Sequence, residues 1–84
     1  MAAWSVYLLE CADQSLYCGV TTDLEARLLK HNQGTASRYT RSRRPVALAA
    51  VRENLGKSAA FKLEYQIKKL PADKKISALK KSQV

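Results

Sequence analysis

Leu16-Tyr17-Cys18-Gly19-Val20-Thr21-Thr22-Asp23-Leu24-Glu25-Ala26-Arg27-Leu28 joins a strand to a helix within thirteen residues. The segment from Leu16 to Thr21 carries Leu16, Tyr17, Cys18 and Val20, the side chains a half-buried strand favours. Thr22-Asp23-Leu24-Glu25 then has the form of a capping box. The Thr22 hydroxyl would accept a bond from the Glu25 backbone N–H, and the Glu25 side chain would reach back. Leu24 and Leu28 head the buried stripe of the helix, with Ala26 and Leu29 beside them. The helix is expected to run to about Asn32, with Gly34 ending it in a left-handed conformation.

Upstream, Trp4 to Cys11 reads as another strand, and Asp13-Gln14-Ser15 as a three-residue turn between the two. That turn would set Cys11 opposite Tyr17. Opposed residues of like parity then share a sheet face, so Tyr7 and Tyr17 fall on one face and Cys11 and Cys18 on opposite faces. A disulfide between the cysteines is disfavoured, and their spacing is not that of a metal finger.

Downstream, the stretch from Thr35 to Arg44 has no period and reads as a basic loop closed by Pro45. Val46 to Val51 is a short third strand, Asn54-Leu55-Gly56 a turn, and Ser58 the cap of a helix ending at Leu70 before Pro71. A last helix spans Ala72 to about Lys81. Val84 and its neighbours are expected to fray. The order is strand, strand, helix, strand, helix, helix. The fold class is therefore α+β, a small hairpin-based sheet with helices packed on it, in one domain over residues 1–84.

Fifteen Lys and Arg against seven Asp and Glu give a formal charge of +8. Such an excess suits a polyanion, nucleic acid before a membrane surface. No apolar run approaches the roughly 20 residues a membrane span needs. Met1 to Trp4 lack the basic start and apolar core of a secretory leader, so a cytoplasmic location is expected, with both thiols reduced.

Three groups of side chains stand out as chemistry. Arg27 and His31 lie four residues apart on the first helix and point the same way. Arginine offers a phosphate two parallel donors, and histidine shuttles protons near neutral pH. Glu64 interrupts the stripe Ala60, Leu63, Ile67, Leu70. An acid there is either held for a ligand or paired at the stripe's edge with Lys68. Arg38, Tyr39, Arg41, Arg43 and Arg44 interleave an aromatic with cations, a pattern suited to phosphate contact and base stacking.

Taken in order, Ser5-Val6-Tyr7, Tyr17-Cys18-Gly19, His31-Asn32-Gln33-Gly34 and Arg38-Tyr39-Thr40-Arg41 resemble the GIY-YIG endonuclease family, in particular its small single-domain bacterial members. The resemblance spans nearly the whole chain. It implies a three-stranded antiparallel sheet flanked by helices and a metal-dependent phosphodiesterase, with DNA repair or processing at branched, flapped or nicked structures as the expected setting. By that resemblance Tyr7 and Tyr17 line the site and one of them helps deprotonate the attacking water. Arg27 holds the scissile phosphate, His31 assists proton transfer or binds phosphate, and Glu64 ligates one Mg2+ or Mn2+ ion. Ser5 and Cys18 replace the glycine and isoleucine of the two motifs. Val20 stands where some members carry lysine. DNA is the expected partner, RNA stays open because basic charge reads phosphate and not sugar, and a protein partner would serve target selection. The alternative is a nucleic-acid-binding module whose cleavage is vestigial or partner-dependent.

Overall fold

The computed structural model describes residues 3–81. Its elements are β1 (Trp4–Glu10), β2 (Leu16–Thr21), α1 (Leu24–Gln33), α2 (Arg38–Arg41), β3 (Ala47–Leu55), α3 (Lys57–Lys68) and α4 (Ala72–Lys81). The three strands form one antiparallel sheet in the order β2-β1-β3. This is the α+β class expected, with one added helical turn, α2.

β1 is central and covered on both faces, which explains why its sequence is continuously apolar instead of alternating. Val6 and Leu8 face α3 and α4, packing with Cys18, Ala50, Ala60, Ile67 and Leu79. Tyr7 and Leu9 face the other way, with Cys11, Val46, Tyr17, Leu24 and Leu28. Burying one such Leu contributes about 1.5–3 kcal/mol. The two cysteines are free and lie in different clusters, on opposite faces of the sheet.

Several local details differ from expectation. The hairpin loop is three residues long but begins one residue earlier. Cys11 donates its N–H to the Ser15 carbonyl at 2.9 Å, leaving Ala12-Asp13-Gln14 as the loop, and Leu9 rather than Cys11 opposes Tyr17. Gln14 takes the left-handed conformation, with φ 70°, that such loops require. Parity is unchanged, because both registers pair residues of like parity.

The cap of α1 is Asp23 and not Thr22. Its carboxylate accepts the Ala26 N–H at 3.1 Å, and the Thr21 hydroxyl oxygen accepts the Asp23 N–H at 3.0 Å. Gly34 ends the helix at φ 83°, donating to the His31 carbonyl. The stretch read as a loop holds α2, capped by Ser37, whose hydroxyl accepts the Thr40 N–H. β3 extends to Leu55, absorbing Asn54 and Leu55 of the expected turn, with Asn54 at φ 63°. β1 pairs with it from Trp4↔Leu55 to Glu10↔Ala47, with register shifts between Trp4 and Val6 and between Leu8 and Leu9. α3 starts at Lys57 behind Gly56, which supplies no side-chain cap, so Ser58 is inside the helix. α3 ends at Lys68, short of the expected Leu70, and Lys75 of α4 donates to the Ile67 and Lys68 carbonyls at 3.0 and 3.1 Å. The expected fraying around Val84 lies outside the described residues.

Candidate active site

Tyr7 projects from β1 across Gly19, its cross-strand partner on β2. A Cβ at Gly19 would overlap the Tyr7 hydroxyl and ring, so this position needs glycine for close approach. The path carries the Tyr7 hydroxyl to His31 on α1, 2.9 Å from Nε2. The other ring nitrogen, Nδ1, lies 2.7 Å from the Thr40 hydroxyl of α2. Thr40 in turn donates to the Ser37 carbonyl at 3.4 Å.

The direction of this chain is set by the His31 tautomer. With the Thr40 proton on the Ser37 carbonyl, its oxygen accepts from Nδ1–H. Nε2 is then the lone-pair nitrogen and accepts from Tyr7. Both members are enclosed, Tyr7 at 2% and His31 at 0% exposure. Burial pushes the Tyr7 phenol well above its ordinary pKa, with the Tyr17 phenol acting in the same sense. Burial, and then the Arg27 guanidinium, lower the His31 pKa. Both shifts favour the neutral forms, a phenol beside an imidazole, and in the tautomer with Nδ1–H the phenol is the donor.

Tyr17 completes the aromatic wall. Its ring centroid lies 6.4 Å from Tyr7, 5.1 Å from His31 and 5.8 Å from Tyr39. Arg27 is exposed on α1, one turn before His31, and its charge reaches both Tyr7 and His31. Glu64 approaches from α3, across the β2 side of the sheet. Burial pushes the Cys18 thiol up to about 11, with the Glu64 carboxylate the next cause, whereas Glu64 is the weakest of the influences on Tyr7. Glu64 also pairs with Lys68 at 3.1 Å and is only 17% exposed. The structure thus brings Tyr7, Tyr17 and His31 into direct contact with Arg27 one turn away on α1, while Glu64 stands on α3, which packs against the other sheet face, beside Cys18.

The donor set bears on a metal. Among the described residues no three His, Cys, Asp or Glu side chains group as a metal cage. Glu64 supplies hard oxygen ligands, and the Lys68 bond uses one of about four acceptor positions on its carboxylate. Magnesium accepts one or two carboxylates and keeps several waters, so a single Glu64 fits it.

A family model for the GIY-YIG catalytic domain matches residues 3–77. The chain belongs to the GIY-YIG family. Its GIY-YIG relatives include a UPF0213 protein of Nitratidesulfovibrio vulgaris, 47% identical over 90% of this chain and 69% of that one. A UPF0213 protein of Staphylococcus haemolyticus is 42% identical over 94% of this chain and 96% of its own length. Among solved structures, an Enterococcus faecalis protein matches at TM-score 0.67 and 37% identity, covering 96% of this chain and 86% of that one. The UPF0213 protein of Bacillus halodurans matches at TM-score 0.58 and 39% identity, covering 95% and 85%. As a GIY-YIG domain, the chain is of an endonuclease type acting on nucleic acid. No helix among the described residues is long and apolar enough to cross a membrane.

Within this GIY-YIG site the basic stretch divides in two. Arg38 and Arg41 are exposed on α2, on either side of Tyr39 and Thr40, and line a shallow hollow with Ser37. Arg43 and Arg44 are engaged within the fold. Arg44 donates to the Arg41 carbonyl at 3.0 Å and to the Asn32 carbonyl at 3.4 Å, and packs over Gly34. Arg43 bonds Asp13 and the Tyr39 carbonyl. Sequence reasoning missed Thr40 and Asp13. Thr40 lies in a short polar stretch without periodicity, and Asp13 reads as an ordinary turn residue. The only pointer to Thr40 was its place between Tyr39 and Arg41.

Proposed function

We propose that this chain is a divalent-metal-dependent endonuclease that hydrolyses phosphodiester bonds in DNA, selecting branched, flapped or nicked structures during repair or processing in the cytoplasm. Residues 1–84 act as one nuclease domain, and a protein partner directs it to its targets. The observation that carries this reading is the buried Tyr7–His31–Thr40 chain beside Arg27.

A phosphodiester resists attack because it is anionic and its leaving group is a poor one. Hydrolysis needs charge neutralisation, an activated water and stabilisation of the leaving oxygen. Arg27 suits the first task, since its fork donates two parallel bonds to non-bridging oxygens and keeps its charge. Tyr7 and His31 suit the second. As the water oxygen bonds to phosphorus and the P–O bond to the leaving oxygen breaks, the water proton passes to the Tyr7 oxygen while the Tyr7 proton passes to His31 Nε2, and the leaving oxygen takes a proton from solvent. Tyr7 never has to become a free phenolate, which its high pKa forbids. This transfer uses the tautomer in which Thr40, 2.7 Å away, accepts from Nδ1–H and Nε2 is left open. Tyr17 walls the pocket beside the pair.

Glu64 would hold one Mg2+ or Mn2+ ion, which when bound supplies Lewis-acid stabilisation of phosphate oxygens and of the leaving group. The Glu64–Lys68 ion pair favours the second reading, a binding module with weak or partner-dependent cleavage, because it occupies part of the ligand set. Incubating labelled flap, nicked, single-stranded and duplex DNA, and the matching RNAs, with magnesium, manganese or chelator separates the two. The nuclease reading expects metal-dependent products. The binding-module reading expects retention without them.

Arg38, Arg41 and Tyr39 make the nucleic-acid contacts in this account. Arg38→Gln and Arg41→Gln should each lower the slope of log affinity against log salt by about 0.7 to 0.9, with sequence preference unchanged. Fluorescence anisotropy over a salt series measures this, and an unaltered slope would return both arginines to a solvated surface.

A further inference from the structure

Arg43 reads from sequence as one of four arginines in a phosphate-binding loop, yet its bonds turn inward. Its Nε donates to Asp13 at 3.0 Å, its Nη1 donates to the Tyr39 carbonyl at 2.9 Å, and its guanidinium lies 3.8 Å from the Tyr39 ring centroid. Its own carbonyl accepts the Ala12 N–H at 2.9 Å, and its N–H donates to the Thr40 carbonyl at 3.0 Å. Asp13 is held in turn, since one carboxylate oxygen accepts from the Ser15 N–H at 3.0 Å while the other takes Arg43. One side chain thus ties the tip of the β1–β2 hairpin to α2. The side chain does so at Tyr39, which lies against Tyr17, while the Arg43 backbone N–H holds the carbonyl of the next residue, Thr40, whose hydroxyl meets His31 Nδ1.

We propose that Arg43, anchored by Asp13, is a positioning residue that clamps Tyr39 and Thr40 onto the Tyr17 and His31 side chains, and is not a phosphate contact. A guanidinium can serve both bonds and the ring at once because it is planar and carries five donors, whereas an ammonium is a point charge that cannot. The clamp explains how a four-residue helix with little core of its own keeps Thr40 in register with a buried imidazole. The groups facing that imidazole are Tyr7 from β1, Tyr17 from β2, Arg27 from α1 and Thr40 from α2. Loosening α2 therefore admits water to the ring and removes its Nδ1 acceptor.

The test uses Asp13→Asn and Arg43→Lys, two mild changes at exposed atoms, in the full chain. His31 is the one histidine of the sequence, so its ring proton resonances report its titration without ambiguity. The clamp predicts that each variant raises the His31 midpoint toward its ordinary value. Each should also lower kcat about tenfold with KM and the salt slope of binding unchanged, as expected of misplaced catalytic groups. The double variant should lose no more than either single one. A phosphate-contact role predicts otherwise. Asp13→Asn would then leave the midpoint and kcat as in wild type, and Arg43→Gln would lower the salt slope by about 0.7 to 0.9, which would overturn the clamp. The turnover arm rests on the nuclease reading, but the His31 titration does not. If wild-type protein cut no substrate, that reading would fail while the midpoints still decided the clamp.

Discussion

Glu64→Gln is expected to abolish the proposed metal-dependent cleavage, a loss of at least about 10³-fold, while nucleic-acid affinity measured in chelator should stay within a few-fold of wild type. The change keeps the side chain's shape and removes the charge that a hard cation requires. Stability moves little. Breaking the pair with Lys68 costs about 0.3–0.5 kcal/mol, since Lys68 is half exposed, and relief of carboxylate desolvation on the α3 stripe opposes it. For a domain of this size that is a thermal shift of at most about 2–4 °C. Cleavage assays run beside thermal melts check both parts. A folded Glu64→Gln protein that cuts like wild type removes Glu64 from the site and leaves the ion pair with Lys68 as its whole role.

Tyr7→Phe lowers kcat by about 10²- to 10⁴-fold, the range for losing one proton-transfer partner. His31→Gln falls in the same range, and the double variant loses little more, because the two residues move one proton between them. Tyr7→Phe also leaves His31 Nε2 without its 2.9 Å partner in a fully buried setting. That costs about 1–3 kcal/mol, or a drop in midpoint of several degrees.

The pH dependence follows from the sign of the His31 shift. Its folded pKa lies below the ordinary 6.5, so the unfolded chain binds the proton more readily. The stability contributed by the neutral ring is present above about 6.5 and is lost as pH falls through the lower folded value. Activity declines over the same acidic limb, because protonated Nε2 accepts nothing from Tyr7. In His31→Gln that limb of the stability profile flattens. Wild-type denaturation across pH shows whether it is there, and a profile identical in His31→Gln would contradict a buried neutral histidine.

The hairpin, the helix face and the family were legible because each rests on a local rule. Strand parity put Tyr7 and Tyr17 on one face whichever residue began the loop, so the one-residue shift of the turn did no harm. Four-residue spacing joined Arg27 to His31. Glu64 could be singled out as an acid in an apolar stripe, yet its two readings could not be separated from sequence, and the structure contains the Lys68 ion pair of one of them. What stayed illegible depends on contacts distant in sequence. Asp13 and Arg43 are 30 residues apart, and no propensity links them. α2 is one turn whose existence depends on its Ser37 cap and on its ties to the hairpin and α1, so composition alone reads it as loop. The alternative cap at Asp23 turned on which of Thr21, Thr22 and Asp23 faced the helix, a choice settled by the end of β2.

The central claim is that Tyr7, His31, Arg27 and Glu64 form one metal-dependent phosphodiesterase site. It is tested most directly by incubating wild-type protein and Tyr7→Phe with the labelled substrate panel, in magnesium and in chelator, at enzyme excess. The account predicts strand scission by wild type in magnesium, none in chelator, and a loss of about 10²-fold or more in a folded Tyr7→Phe protein. Scission that persists in chelator, or that survives undiminished in Tyr7→Phe, would contradict it.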